Sequence, residues 1–254
     1  MYVEPFCGGC SIIRDIVATT RIAGDINPYL IALYEQVQQS VRFDARRGWV
    51  VDWSSVGRIR TELSQSVYKE ILSDVRLGTG SRFTDYEIGY ALFLCSYCNV
   101  VMSSFEAGRE DMLRESLERD FTQSYNDCLR GVSFRCGSYD AFSYPTGSVV
   151  YCDPPYLITT GSYNDGNRGI KDWTENEEQK LLQILDELNE RNIKFALSNV
   201  FEANGKKNQL LIDWSKKYNV YIIKNSFNNS NYRRKNKNDT VEVLITNYEE
   251  EENE

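Results

Sequence analysis

The chain contains no histidine among its 254 residues. That removes the commonest general base and the commonest metal ligand, so any catalysis must proceed without an imidazole. No stretch approaches the roughly 20 consecutive apolar residues of a membrane span. The opening Met1-Tyr2-Val3-Glu4-Pro5 lacks the basic-then-apolar pattern of an export signal. No membrane is expected, and a cytoplasmic setting fits. Seven cysteines, an odd number without an export signal, read as reduced thiols there. Positive charge is in deficit, with 29 Lys and Arg against 37 Asp and Glu and a net charge of −8. That total speaks against a surface made wholly for nucleic acid. However, Glu249, Glu250, Glu251, Glu252 and Glu254 supply five of the negatives, in a terminal run that reads as a solvated tail over 249–254.

What positive charge there is clusters in Arg233-Arg234-Lys235-Asn236-Lys237, with Lys206-Lys207 and Arg46-Arg47 elsewhere. Phosphate binding needs a local basic surface, not a basic total. The competing reading of the cluster is an exposed hairpin tip that is merely soluble.

Short apolar strands alternate with amphipathic helices at both ends of the chain. The candidate strands are 2–6, 21–25, 131–136, 148–152, 193–198, 220–224 and 241–247. Helices are expected over 11–17, over 28–39 with Pro28 in the first turn, over 175–190 and over 207–217. The third carries the capping box Thr174-x-x-Glu177, and Leu181, Ile184, Leu185 and Leu188 line one face. Alternation of this kind implies a mostly parallel, doubly wound α/β sheet. Residues 1–39 and 131–254 would form that core. Between them, 40–130 becomes largely helical, with helices expected over 56–77, 85–102 and 111–129, and reads as an inserted lobe. The polar stretch 225–239 should be a long loop joining the last two strands.

Two constellations carry chemistry. Ser148-Val149-Val150-Tyr151-Cys152 is a buried strand that runs straight into Asp153-Pro154-Pro155-Tyr156. Open α/β sheets place their ligands at such carboxyl ends. The prolines fix φ and remove two donors, leaving carbonyls free to accept, while Asp153 and Tyr156 add an acid and a stacking face. That set is suited to gripping a flat amine; the bland alternative is a strand stop with a capping acid. The first strand runs into Pro5-Phe6-Cys7-Gly8-Gly9-Cys10, where glycines let the backbone approach a ligand closely. A helix opening there would favour polar or anionic groups. The second strand ends in Asp25-Ile26-Asn27, and an acid at that edge can accept from both hydroxyls of a ribose. The loop is not G-x-G-x-x-G, so a nucleoside cofactor without a pyrophosphate fits better than a dinucleotide. Cys7-x-x-Cys10 and Cys95-x-x-Cys98 stand more than eighty residues apart, against the ~15–20 of a zinc ribbon. No metal site is expected.

Taken in order, these segments resemble the DNA adenine-N6 methyltransferases of the Dam type. Pro5-Phe6-Cys7-Gly8-Gly9 resembles their cofactor loop, and Asp25-Ile26-Asn27-Pro28-Tyr29 their ribose-binding acid. Phe134-Arg135-Cys136-Gly137-Ser138-Tyr139-Asp140 is similar to the segment bordering the cofactor's adenine. Tyr151-Cys152-Asp153-Pro154-Pro155-Tyr156 resembles the catalytic motif. Phe195-Ala196-Leu197-Ser198-Asn199, and Arg233-Arg234 followed by 241–248, complete the series, which runs from residue 2 to 248. The resemblance implies a Rossmann-like methyltransferase sheet of seven strands with the last hairpin antiparallel, and a helical target-recognition lobe at 40–130. It implies S-adenosylmethionine as methyl donor and a flipped adenine of double-stranded DNA as acceptor. Asp153, Pro154, Pro155 and Tyr156 would be catalytic. Pro5 to Gly9, Asp25, Ile26, Asn27, Tyr139, Asp140 and Asp153 would hold the cofactor. Arg233, Arg234 and Lys235 would hold DNA.

Three departures shape the expectations. Family members carry a further segment ahead of the glycine loop, whereas here one residue precedes the first strand. A cofactor site with one wall open, closed by a partner subunit or by the helical lobe, is expected. Cys10 stands where the family keeps glycine or a small residue. Cys95-Ser96-Tyr97-Cys98-Asn99 is loosely similar to the entry of the family's base-reading element, which implies Asn99 at the DNA, but the residues after it do not match. The target sequence therefore does not transfer. A rival from another class is a methyltransferase-like module, catalytically weak or inactive, that binds nucleic acid or a partner chain. Methylation of RNA or of a cytosine amine is a third reading.

Overall fold

The computed structural model describes residues 1–56, 58–96, 104–106, 110–123, 128–159, 173–223 and 240–249. Its strands in chain order are β1 (Tyr2–Glu4), β2 (Arg21–Asp25), β3 (Val41–Asp44), β4 (Gly48–Val51), β5 (Val132–Cys136), β6 (Val149–Cys152), β7 (Lys194–Ala203), β8 (Lys206–Lys207), β9 (Asn219–Ile223) and β10 (Val241–Thr246). The α-helices are α1 (Pro28–Gln39), α2 (Ile59–Glu62), α3 (Gln65–Leu77), α4 (Asp85–Leu94), α5 (Glu110–Thr122), α6 (Glu175–Glu190) and α7 (Gln209–Ser215).

The main sheet runs β5-β2-β1-β6-β7-β10-β9, with β8 paired to the end of β7. Strands β5, β2, β1, β6 and β7 are mutually parallel; β10 is antiparallel to both β7 and β9. This is the expected parallel α/β sheet with a late antiparallel hairpin. The chain leaves β1 for β2 on one side and returns through β6 on the other. The carboxyl ends of β1 and β6 therefore flank a topological switch point.

Successive residues of β1 face opposite cores. Tyr2 joins a cluster with α1, α4 and Tyr68, whereas Val3 packs with Val150, Phe195 and the leucines of α6. Leu181, Leu185 and Leu188 are at most 1% exposed, so the α6 stripe is fully spent on the sheet. Each such side chain stabilises by about 1.5–3 kcal/mol through removal of apolar surface from water. Thr174 caps that helix by accepting from Glu177 N at 3.4 Å. On the other face, α4 lies against α1 so closely that a Cβ on Gly89 would fall on the Tyr29 carbonyl oxygen.

Several elements differ from the sequence expectation, each for a physical reason. No α-helix follows the glycine loop; 11–17 holds only a 3-10 turn, Ile13–Asp15. The buried Arg21 guanidinium donates to Ile13 O and Arg14 O at 3.2 Å, taking carbonyls that a continuing helix would use. The single helix expected over 56–77 is broken into α2 and α3, because Leu63 is extended and Ser64 caps α3 through Val67 N. The start of the helix expected at 207 shifts, because Lys206–Lys207 turn back as β8 and Asn208 caps α7. The antiparallel hairpin β3–β4 was not anticipated in the helical stretch. Its turn is fixed by Asp44, whose Oδ1 accepts Arg46 N at 2.8 Å and Arg47 N at 2.9 Å.

Candidate active site

Four strand ends converge on one cavity of about 900 Å³, within the range of small-molecule sites. Glu4 to Gly9 leave β1, Asp25 to Asn27 leave β2, Gly137 to Tyr139 leave β5, and Asp153 to Tyr156 leave β6; all line its wall. The glycine loop and the Asp153–Tyr156 edge, more than a hundred residues apart in sequence, thus share one space because β1 and β6 are parallel neighbours. Asp140 does not line it. It turns to Lys180 on α6, and that ion pair holds its carboxyl below the usual range. Asn99, Arg233, Arg234 and Lys235 lie outside the described residues, as does the acidic run 250–254.

The glycine loop is tied down from three sides. Cys7 N donates to Gly24 O at 2.7 Å, Gly8 N to Asp25 Oδ2 at 3.2 Å, and Cys10 N to Cys7 O at 2.6 Å. Gly8 has φ +41 and Cys10 φ +56, so the turn needs left-handed backbone twice. Glycine meets that demand freely; a cysteine there is strained. From α1, the Tyr34 hydroxyl donates to Gly8 O at 2.9 Å. Asp25 accepts Gly8 N on one oxygen and Asn27 N, at 2.9 Å, on the other. A carboxylate has about four lone-pair sites, so acceptor capacity remains for a ligand. Burial pushes its carboxyl pKa up, opposed by those backbone N–H groups. Asn27 lines the same wall and caps α1, its Oδ1 accepting Tyr29 N at 3.0 Å.

At the end of β6, Asp153 is open to the cavity yet crowded by protein on its other sides. Loss of hydration raises its pKa, the Tyr156 hydroxyl bond lowers it, and the Glu242 charge raises it further. The Tyr156 hydroxyl donates to Asp153 Oδ1 at 2.8 Å, a contact that the aromatic's expected stacking role did not foresee. Beyond it, Phe6, Tyr139 and Trp173 form an aromatic wall. Phe6 stacks on Tyr139 at 5.2 Å and meets Trp173 edge-on at 5.6 Å. Trp173 is set by its indole N–H, which donates at 2.6 Å to the fully buried Glu178. The same carboxylate accepts from Asn199 and Asn208, each at 3.0 Å.

Sequence reasoning passed over several wall residues. Glu4 is 2% exposed, accepts the Tyr2 hydroxyl at 3.3 Å, and has its carboxyl pushed up to about 8, chiefly by burial. An acid inside the otherwise apolar run Tyr2-Val3-Glu4 was a readable signal. Phe93 of α4 and Leu113, Ser116, Leu117 and Asp120 of α5 close another side. Nothing in their local pattern marked them, because only the packing of α4 and α5 brings them there.

Residues 1–229 match the sequence model of D12 class N6 adenine-specific DNA methyltransferases. The chain is 34% identical over 259 residues to the type II methyltransferase M.FokI of Planomicrobium okeanokoites, covering 97% of this chain and 39% of that protein. It is 46% identical over 137 residues to modification methylase StsI of Streptococcus sanguinis, covering 53% of this chain and 19% of that one. It is 26% identical over 200 residues to the retron Ec67 DNA adenine methylase of Escherichia coli, covering 72% and 63% respectively. The chain thus spans less than two thirds of each of these relatives. With both the glycine loop and the Asp-Pro-Pro-Tyr edge inside the matched span, the chain belongs to the D12 class N6 adenine-specific DNA methyltransferase family.

Proposed function

We propose that this chain methylates the exocyclic N6 amine of adenine in double-stranded DNA, with S-adenosylmethionine as donor. The observation that carries the reading is that the glycine loop, Asp25 and Asp153–Tyr156 line one cavity at a sheet switch point. The donor set fits the cofactor. Asp25 at the β2 edge suits a ribose diol, and the Phe6–Tyr139 pair suits an adenine face. The carboxyl groups of Asp25 and Asp153 suit a ligand bearing ammonium and sulfonium charge, and such a charge would favour the ionised form of Glu4. When bound, that cofactor supplies an electrophilic methyl group.

The protein's own part is positioning and electrostatics. The adenine amine is conjugated with its ring and weakly nucleophilic. Asp153 and the Pro154 carbonyl accept its two N–H groups, which turns the lone pair out of conjugation and towards the methyl donor. Tyr156 offers the ring a stacking face, worth about 1–3 kcal/mol per base in comparable settings. Because Tyr156 donates to Asp153 here, base entry exchanges that bond for one from the amine. A target within a duplex must first flip out, at a cost of a few kcal/mol, and the rigid prolines keep the receiving edge preformed. As the N–CH3 bond forms the donor's S–CH3 bond breaks to leave a neutral thioether, and the proton the methylated amine sheds passes to the adjoining Asp153 carboxylate and on to solvent, so no step needs an imidazole. The stretch 40–130 is read as the target-recognition lobe, and the 233–235 cluster as a DNA-backbone contact.

The test is labelled-methyl incorporation into adenine-containing duplex DNA. Asp153→Ala should lose transfer by a factor of hundreds or more, as expected when a principal electrostatic contact is removed, while its melting curve stays cooperative. Activity within a few-fold of the parent contradicts the assignment.

A further inference from the structure

The cavity wall is rich in carboxyl groups, namely Glu4, Asp25, Asp120, Asp153 and Glu177, and among the described residues it holds one cationic side chain, Arg14. S-adenosylmethionine carries two positive groups and one negative, its α-carboxylate. The acids match the positive groups. The carboxylate needs a partner of its own, because an anion placed among acids without one is strongly disfavoured.

Much of the loop's backbone is already committed, and what remains of it, such as the Gly9 and Ser11 N–H groups, carries no net charge to set against the acids. The N–H groups of Cys7, Gly8 and Cys10 are already spent on Gly24 O, Asp25 and Cys7 O. A helix N-terminus does not follow the loop either, since only the turn Ile13–Asp15 forms there. Arg14 stands on that turn. Its place is fixed by Arg14 N donating to Cys10 O at 3.2 Å and by the buried Arg21, which donates to the carbonyls of Ile13 and Arg14. The Arg14 guanidinium meets Asp15 through Nε at 2.9 Å and Nη2 at 3.1 Å, and Asp120 through Nη1 at 2.9 Å. A guanidinium has five N–H donors in a rigid fork. Three are used, which leaves one N–H on each terminal nitrogen to donate to a further carboxylate.

We propose that Arg14 binds the α-carboxylate of the cofactor, held ready by Asp15 and Asp120. This rests on the reading of S-adenosylmethionine as the cofactor and adds to it the residue that selects the amino-acid end. Asp120 belongs to α5, so the ion pair also fixes the glycine-loop region against the helical stretch at the ligand's carboxylate.

Calorimetry with two ligands separates the carboxylate contact from a merely structural bridge. S-adenosylmethionine and its decarboxylated form differ only in the group Arg14 is proposed to hold. The parent chain should bind the complete cofactor about tenfold or more tightly than the decarboxylated one, the scale of a charge-assisted contact. Arg14→Gln should bring that ratio close to one, chiefly by weakening the complete cofactor. Asp120→Asn, which breaks the bridge but keeps the cation, should retain the preference or increase it. If Arg14→Gln does not fold, Arg14→Lys decides: losing the fork should lower the ratio several-fold. A preference that survives in whichever Arg14 variant folds overturns the assignment while leaving the cofactor reading intact. A parent chain that binds neither ligand overturns both.

Discussion

Asp153 and Tyr156 share one hydrogen bond, and that bond works against burial on the acidity of the group proposed to receive the amine. Burial raises the Asp153 carboxyl above its ordinary range, and the Tyr156 hydroxyl partly offsets this by donating to the ionised form. Accepting from an amine requires the carboxylate, so methyl transfer should fall as pH drops through the raised Asp153 value. Tyr156→Phe keeps the stacking face but removes the donor that favours ionisation. The acid limb of kcat/KM against pH should therefore move to higher pH in this variant, with transfer retained on the alkaline side. An acid limb in the same place as the parent's would show that Asp153 does not govern it. Among single residues the sequence was informative wherever a residue type announced itself. Asp25, the glycines and the tetrapeptide all reach the cavity. Asp140 did not follow, because Lys180 on α6 competes for it, and no local pattern reveals such a partner 40 residues away.

Among the elements, long amphipathic segments with caps formed where periodicity placed them. The helices α1 and α6 match their sequence boundaries because Pro28 with Asn27, and Thr174, set their starts. Short segments were less legible. Residues 11–17 carry apolar positions suited to a helix, yet Arg21 claims the carbonyls and the chain exits extended at Ile16. The β3–β4 hairpin was missed for a different reason. Val41-Arg42-Phe43-Asp44 alternates apolar and polar over four residues only, and Phe43 and Trp49 remain exposed at 66% and 44%, so burial does not follow the alternation. Packing between elements leaves its own mark at Gly89, where α4 meets the backbone of α1. Gly89→Ala should force the two helices apart and cost about 1–3 kcal/mol as an overpacked contact. Urea unfolding measures this directly; a variant as stable as the parent would mean that the α1–α4 contact relaxes freely.

The whole molecule carries an acidic total, so the proposed DNA binding calls for a local basic surface. The cluster at Arg233, Arg234 and Lys235, expected at DNA from its charge and from the family resemblance, lies outside the described residues. Neutralising the three together should weaken binding to every duplex alike and flatten its salt dependence. Each DNA phosphate that is no longer neutralised should take about 0.9 from the log–log slope. A slope unchanged from the parent's would return the cluster to the status of a soluble tip. The sheet, by contrast, was legible because alternation of strand and helix leaves few topologies open. The cavity's far wall was not, since α4 and α5 reach it only by tertiary packing.

Everything proposed for the cavity turns on which atom receives the methyl group. The purified chain is incubated with S-adenosylmethionine and mixed-sequence duplex DNA, the DNA is digested to nucleosides, and the products are separated by mass spectrometry. The expected product is N6-methyldeoxyadenosine, absent when Asp153→Ala replaces the parent. Methyl groups found on cytosine instead, or no methylated nucleoside at saturating cofactor, would contradict the assignment.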